Sequence, residues 1–391
     1  MTSADTHTKN IIPAWESPMD SIISSRIDKL RQHMDLIQLD TFLVLIEENR
    51  RYLSGYTGED TQFDESAGAL IITRDHLILA TDSRFVTQAK AESPMYEVIC
   101  YQKGLIKELT KILKDTHARQ LGIEGTRMSH SMFVKLRDEL KSQNLSVNVQ
   151  DTVHMVERQR VIKTNDEIDA IQKAIAVAES DFRQFLQELR PGMTESQAAW
   201  RLEQKMRTAG AQSLSFPVIS AFGTNSALPH AIPGEKILKK GDPLLFDWGA
   251  RLNGYCSDMT RTVCMGTPDS QFKKIFTIVY DAQQKAIDAI LPGASSRSID
   301  ARARDHISGK GYGDFFGHGL GHGVGLAVHE PPSISPMAEK DIILEENMVF
   351  TVEPGIYLPE WGGVRLENMV VVRKEGAQVL NRLEMKLDLM D

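Results

Sequence analysis

The sequence predicts a two-domain α/β (α+β) protein: an α/β domain followed by a domain built from a duplicated βαα unit. Three observations carry that expectation. Strand-like and helix-like segments alternate across residues 20–152. In the remainder, a long helix, a Pro-Gly break, a shorter helix and a glycine occur twice in the same order. Between these copies the stretch Phe246 to Met265, FDWGARLNGYCSDMTRTVCM, reads as a β-hairpin with one carboxylate on each strand, Asp247 and Asp258.

Bulk properties fit that picture. The chain has 391 residues, enough for two domains with cores of their own. It is 41% hydrophobic and 25% charged, which excludes a disordered or fibrous class. A net charge of −8 leaves no basic footprint for nucleic acid or an anionic membrane surface. No stretch of about 18 apolar residues is present, so no membrane span is expected. The first twenty residues lack a basic segment followed by an apolar run. Cys100, Cys256 and Cys264 are odd in number and lack CxxC spacing, as expected of reduced thiols. A cytoplasmic protein is the expectation, with no nucleic-acid and no membrane partner.

Taken in order, residues 1–19 read as a flexible tail. Ile22, Ile23, Ile27, Leu30, Met34 and Ile37 have helical spacing. Strands are expected at Phe42–Ile46, Ala69–Thr73 and Leu77–Thr81. A helix near Ser83–Ala91, a strand near Tyr96–Cys100 and a helix near Leu105–Thr116 follow. Gln120–Glu124, a helix at Ser129–Lys141 and a strand at Ser146–Gln150 complete a domain over 20–152 with a mixed sheet. Gly55 and Gly58 are too sparse for a phosphate-binding loop.

A boundary is expected within Thr152–Lys163, with the second domain over 155–391. Thr164 and Glu167 make a capping box for a helix to Leu189. Pro191-Gly192 stops it, and Thr194 caps the next helix, to Gly210. Phe272–Leu291, Pro292-Gly293, a helix near Ser298–Ile307 and Gly311 repeat this at one offset of 101 residues. Strands are expected at Phe216–Ala221 and Leu244–Met265 after the first copy, and at Met348–Val352 and Val364–Val372 after the second. Two related halves that face each other enclose a cleft.

The chemistry starts at the hairpin. Asn253-Gly254 favours a type I′ turn, because both positions need positive φ. Leu252 then faces Tyr255 and Asp247 faces Thr260. Asp258 lies diagonal to Asp247 on the same face, a spacing of roughly 7–8 Å at the backbone. Two acids on one face repel without cations. A second cluster, GHGLGHGVG from Gly317, brings His318 and His322. Alternate glycines disfavour a helix there, and an extended chain places both histidines on one side. Glu353 follows an apolar run, and Glu367 shares a strand face with Arg365. His230, in Ala-Leu-Pro-His, stands in a loop-like context, and His329-Glu330 ends the glycine-rich cluster. Asp247, Asp258, His322, Glu353 and Glu367 together make four carboxylates and one imidazole. That set suits a hard or borderline divalent pair, manganese first, with cobalt or zinc as alternatives. Such a pair can polarise a carbonyl and activate water for hydrolysis.

At these residues the sequence resembles the metallopeptidase family of methionine aminopeptidases, aminopeptidase P, prolidase and creatinase. The motifs are DWGA, SDMTRT, GHGVGLAVHE, TVEPGIY and VRLENMVVV, in family order. The resemblance implies a pita-bread catalytic domain. RYLSGYTG and ATDSRF look like the creatinase-like N-terminal domain of the proline-directed branch. By resemblance Asp247 binds one metal ion, His322 and Glu353 the other, and Asp258 and Glu367 bridge them. Glu353 would also relay protons. His230, His318 and His329 would contact substrate, with His230 and His329 also serving catalysis, and Arg365 would bind substrate beside the last ligand. The implied activity is an Xaa-Pro aminopeptidase acting on peptides with proline second, with an Xaa-Pro dipeptidase as the alternative. Remoter readings are a hydrolase or lyase of another kind on the same scaffold, or a binding protein without catalysis. A homodimer is also implied.

Overall fold

The computed structural model describes residues 18–63, 65–385 and 388–389. The tail expected over 1–19 lies outside these residues except for its last two, which open the first helix. The chain divides into two units, Met1–Val156 and Glu157–Asp391, each described by itself.

The first unit runs α1 (Pro18–Leu36), β1 (Thr41–Val44), α2 (Glu47–Ser54), β2 (Ala69–Thr73), β3 (Leu77–Thr81), α3 (Val86–Glu92), β4 (Glu97–Cys100), α4 (Leu105–Asp115), β5 (Gln120–Ile123), α5 (His130–Ser142) and β6 (Asn148–Asp151). Its strands form one sheet in the order β4-β3-β2-β1-β5-β6. Only β2 runs against its neighbours. Leu43, Leu45, Ile71 and Leu121 pack in one core with Leu109 and Leu113 of α4 and Leu136 of α5. Helix α2 has no counterpart among the expected elements. Ile46 at its N-cap makes no side-chain bond. Glu124, far along the chain at the end of β5, accepts the amides of Leu45 and Ile46 and the side chain of Asn49 instead. The cap is therefore tertiary, and no local pattern announces it.

The second unit opens with α6 (Glu157–Arg160), α7 (Asn165–Glu188) and α8 (Glu195–Thr208). The capping boxes at Thr164 and Thr194 are both formed. Next come β7 (Ser213–Leu214), β8 (Ile219–Phe222), β9 (Pro243–Trp248), β10 (Ala250–Leu252), β11 (Tyr255–Cys256) and β12 (Met259–Met265). The second copy follows: α9 (Ser270–Asp288) and α10 (Ser296–Gly309), then β13 (Gly321–Gly323), β14 (Glu330–Ile334), β15 (Val349–Val352), β16 (Gly355–Leu358), β17 (Gly362–Arg365), β18 (Asn368–Arg373), β19 (Gly376–Val379) and β20 (Asp388–Leu389). Gly192 and Gly293 both take a φ of 89°, and Gly210 and Gly311 also lie in the positive-φ region. The isolated bridges Thr194↔Ile237 and Ser295↔Ile343 repeat the likeness at the N-termini of α8 and α10.

Each long helix packs on a separate core. Phe182 and Phe185 of α7 pack with Phe246 and Trp248 of β9. Phe272, Ile275 and Val279 of α9 pack with Phe350, Val352 and Val370 of the later sheet. The principal sheets are β20-β12-β9-β8 and β14-β13-β15-β18-β19.

Two expected strands are divided. The hairpin holds the expected register, with Leu252 opposite Tyr255 and Thr260 opposite Asp247. Asn253 and Gly254 have φ of 48° and 79°, as its turn requires. The ladder nevertheless opens at Gly249 and Asp258. A Cβ on Gly249 would lie 1.9 Å from the Ser257 carbonyl oxygen, so the crossing there tolerates only glycine. The expected strand Val364–Val372 is also two strands, broken at Leu366-Glu367. Its first part pairs with β16 and its second with β15. Those two pairings continue one register, so β15–β18 is a second opened hairpin.

Candidate metal centre

Both openings carry acids. Asp247 lies on β9, and Asp258 falls in the gap between β11 and β12. Glu353 directly follows β15, and Glu367 occupies the gap between β17 and β18. An opened ladder turns a carboxylate out of the sheet without burying it in an apolar layer. One oxygen each from Asp247, Asp258 and Glu367 falls within 4.8 Å of the others. His322, on β13, points its Nε2 to 3.7 Å from Asp258 and 3.3 Å from Glu353. Its Nδ1 lies 3.2 Å from the Gly323 carbonyl, which can only accept, so Nε2 is the ring nitrogen turned to the carboxylates. The five residues expected to bind metal are thus brought together.

Their electrostatics fit a cation site. Two carboxylates at such separations repel by roughly 3–4 kcal/mol at an effective dielectric constant near 20. Burial, then the neighbouring acids, hold Asp258 and Glu367 well above the usual carboxylate range. Burial also raises Asp247, partly offset by Arg365. Glu353 goes the other way. Burial favours its protonation, but His322, His318 and Arg365 outweigh that and bring it to about 2. Asp247 Oδ1 and Glu367 Oε1 are buried without a hydrogen-bond partner. Carboxylate oxygens left without partners, beside an imidazole nitrogen turned to the acids, are a donor set that suits a divalent pair.

The two hairpins are stitched at the acids. Thr260 donates to Glu367 at 2.7 Å and accepts from Arg365 Nε at 3.0 Å. Arg365 also donates to Asp247 at 2.6 Å, to the Tyr357 hydroxyl at 2.9 Å and to the Pro229 carbonyl at 3.2 Å. The last contact anchors the segment carrying His230. His318 Nδ1 meets the Gly319 carbonyl at 2.8 Å, and its Nε2 meets the Tyr357 hydroxyl at 2.8 Å. Burial lowers its pKa. A neutral His318 with both nitrogens engaged offers ring surface rather than charge. The extended chain expected around it is confined to Gly321–Gly323.

The five clustered residues, with His318 and Arg365, line one cavity of about 530 Å³. Phe216, Pro217, Val218 and Ile232 form an apolar wall, while His230 and His329 face the same space. The His329 and His322 ring centroids are 4.2 Å apart. Burial and then His322 lower the pKa of His329, so it is a neutral donor at pH 7.

Three contributors lie beyond the expected set. Tyr357 is two residues from Gly355 and four from Glu353, and strand alternation from the glutamate could have found it. Thr260 was legible as the hairpin partner of Asp247. Glu330, beside His329, is buried against Arg160 and against Lys163 at 2.8 Å. That pairing spans most of the unit and leaves no local signal.

Sequence comparison identifies the class of protein to which this fold and acid cluster belong. Residues 169–374 match Metallopeptidase family M24, and residues 26–162 match the Creatinase/Prolidase N-terminal domain. The chain belongs to this family. An Xaa-Pro dipeptidase of Pyrococcus furiosus is 36% identical over 93% of this chain and 100% of its own length. The structure of an Xaa-Pro dipeptidase from Bacillus anthracis superposes with a TM-score of 0.87 at 36% identity, covering 94% of this chain and 100% of that one. An X-Pro aminopeptidase structure from Thermotoga maritima gives 0.81 at 37% identity, covering 92% and 100%. Among the described residues no helix is long and apolar enough to cross a membrane.

Proposed function

We propose that the protein hydrolyses Xaa-Pro dipeptides at a dinuclear metal centre held by Asp247, Asp258, His322, Glu353 and Glu367. The observation that carries the dipeptide is likeness to relatives bearing that activity over nearly the full length of both chains. The Thermotoga relative supports aminopeptidase action on longer peptides as the second reading. The dipeptidase, the alternative expected from sequence, is better supported by these relatives than the aminopeptidase, the leading expectation.

When bound, two divalent ions would supply Lewis-acid polarisation of the scissile carbonyl and a lowered pKa for water, with manganese the first candidate. Other tasks fall to side chains. Xaa-Pro is a tertiary amide without N–H, so its recognition rests on shape. The neutral ring of His318 and the apolar wall provide a surface for the pyrrolidine ring. Arg365, held by Asp247 and Tyr357, fixes the polar side of the cavity. Glu353, ionised beside His322, is placed to accept a proton from water and to deliver it to the proline nitrogen. Neutral His329 can donate to the carbonyl oxygen as charge develops there, and His230 can hold the substrate's far end.

Parallel assays of an Xaa-Pro dipeptide and the matching Xaa-Pro-Yaa tripeptide, with manganese, cobalt or zinc added to metal-free protein, test the reading. Higher kcat/KM on the dipeptide supports it. Preference for the tripeptide restores the aminopeptidase.

A further inference from the structure

Opening a hairpin removes ladder hydrogen bonds, and the freed backbone groups must be satisfied elsewhere. In the second hairpin the affected peptide units are Val352–Glu353 and Leu366–Glu367. Their amides are taken by chain segments alongside: Glu353 N–H donates to Leu320 O at 2.8 Å and Glu367 N–H to Thr260 O at 3.1 Å. Both carbonyls are taken by one side chain. Gln283 Nε2 donates to Val352 O and to Leu366 O, each at 2.9 Å.

Gln283 lies on the buried face of α9, fully enclosed, among Val279, Ala282, Ala286 and Ile287. An amide in such a core is costly unless bonded, and here both donors of the NH₂ group are used. The carbonyls they hold belong to the residues directly before the two glutamates. The 101-residue offset of the repeat places Phe182 at the equivalent helix position. Phe182 stacks on Trp248, the residue after Asp247, at 3.8 Å between centroids. The same turn of the long helix thus supports ligand-bearing chain in both copies, through an aromatic face in one and an amide in the other.

We infer that Gln283 is a positioning residue for the metal centre: its one amide sets the separation of the Glu353 and Glu367 backbones and thereby the affinity for divalent ions. This rests on the reading of the five-residue cluster as a metal site. With Gln283→Leu the two carbonyls lose their shared donor, and the glutamates are free to drift apart. Affinity should fall 10- to 100-fold, the usual effect of losing a group that orients ligands.

The test is calorimetric titration of metal-free protein with manganese, run beside thermal unfolding in chelator. Val279→Ala, a cavity on the same helix face, is the control for lost stability alone. The inference predicts weakened binding in Q283L and wild-type affinity in V279A at a comparable loss of Tm. Unchanged affinity in Q283L, or equal weakening in V279A, overturns it. Should Q283L not fold, Gln283→Asn, one methylene too short to reach the carbonyls from the helix, is read by the same two outcomes. Wild-type protein that takes up no divalent ion overturns the metal-centre reading itself, and the inference with it.

Discussion

The two opened hairpins solve one problem by different means. In the first, Asp258 lies in the gap and Gly249 lies opposite, so the chains nearly touch. The gap is closed partly within the hairpin, where Ser257 N–H donates to Ala250 O at 2.9 Å and Ala250 N–H to Ser257 Oγ at 2.9 Å. It is closed partly by backbone and thioether groups outside it, where Ser215 N–H donates to Gly249 O at 2.9 Å and Asp258 N–H to Met369 Sδ at 3.3 Å. Trp248 then anchors the strand, its Nε1 donating to Ala178 O at 3.1 Å beneath the Phe182 stack. In the second, Glu353 and Glu367 face each other across the gap, and closure comes from Gln283 on another element. A turn with strong local signals sets its own register, and outside groups complete it. A turn without them, here Pro359-Glu360-Trp361, is set by what packs against it.

Substitutions can break or sharpen that contrast. The largest effect is expected where either hairpin loses its acid. Asp258→Ala and Glu367→Ala should each abolish stable metal binding and lower activity by roughly 10³-fold or more, since both hairpins supply the same ions. Metal content after gel filtration and residual turnover check this. If one variant keeps a full metal complement, the hairpins are not equal contributors.

Next in size is His329→Ala, expected to lower kcat by about 10²-fold with little change in KM, because its donor acts on developing charge. Steady-state kinetics separate the two parameters, and a raised KM at unchanged kcat would overturn the role. Gly249→Ala should destabilise the first hairpin by roughly 1–3 kcal/mol, as a Cβ is forced onto the Ser257 carbonyl. Thermal unfolding measures it, and a neutral result would mean the hairpin can part without loss.

The smallest and most diagnostic effect is on pH dependence. Asp258 and Glu367 hold protons to higher pH in the folded protein than in the unfolded chain. The metal-free fold therefore binds the excess protons, and its stability falls as pH rises from the ordinary carboxylate range through their raised values. Glu353 has the opposite sign. Brought to about 2 from an ordinary 4.5, it contributes stability above 4.5 that is lost as pH falls toward 2. Bound cations should remove the first slope, so Tm curves with chelator and with manganese should diverge as pH rises. Parallel curves would contradict the raised values.

The first hairpin was readable to the residue. Asn253-Gly254 admits one register, and that register brings Asp247, Asp258 and Thr260 to one face. The second was read as two unrelated strands, because neither its turn nor its mid-strand break has a short-range signature. Helix α2 was invisible for the same reason, its cap being supplied by Glu124. Glu330 gave no hint of Arg160 and Lys163.

The five converging side chains are named through the family resemblance; by itself, the sequence determined the helices of both copies and the breaks at Pro191-Gly192 and Pro292-Gly293. Those follow from periodicity, capping and backbone preference, which act over a few residues. Tertiary structure decided how far apart the acids stand, which of their oxygens are left without partners, and which nitrogen of His322 faces the acids. Such properties depend on burial and on partners as remote as Gln283 and Arg365, and no local pattern encodes them.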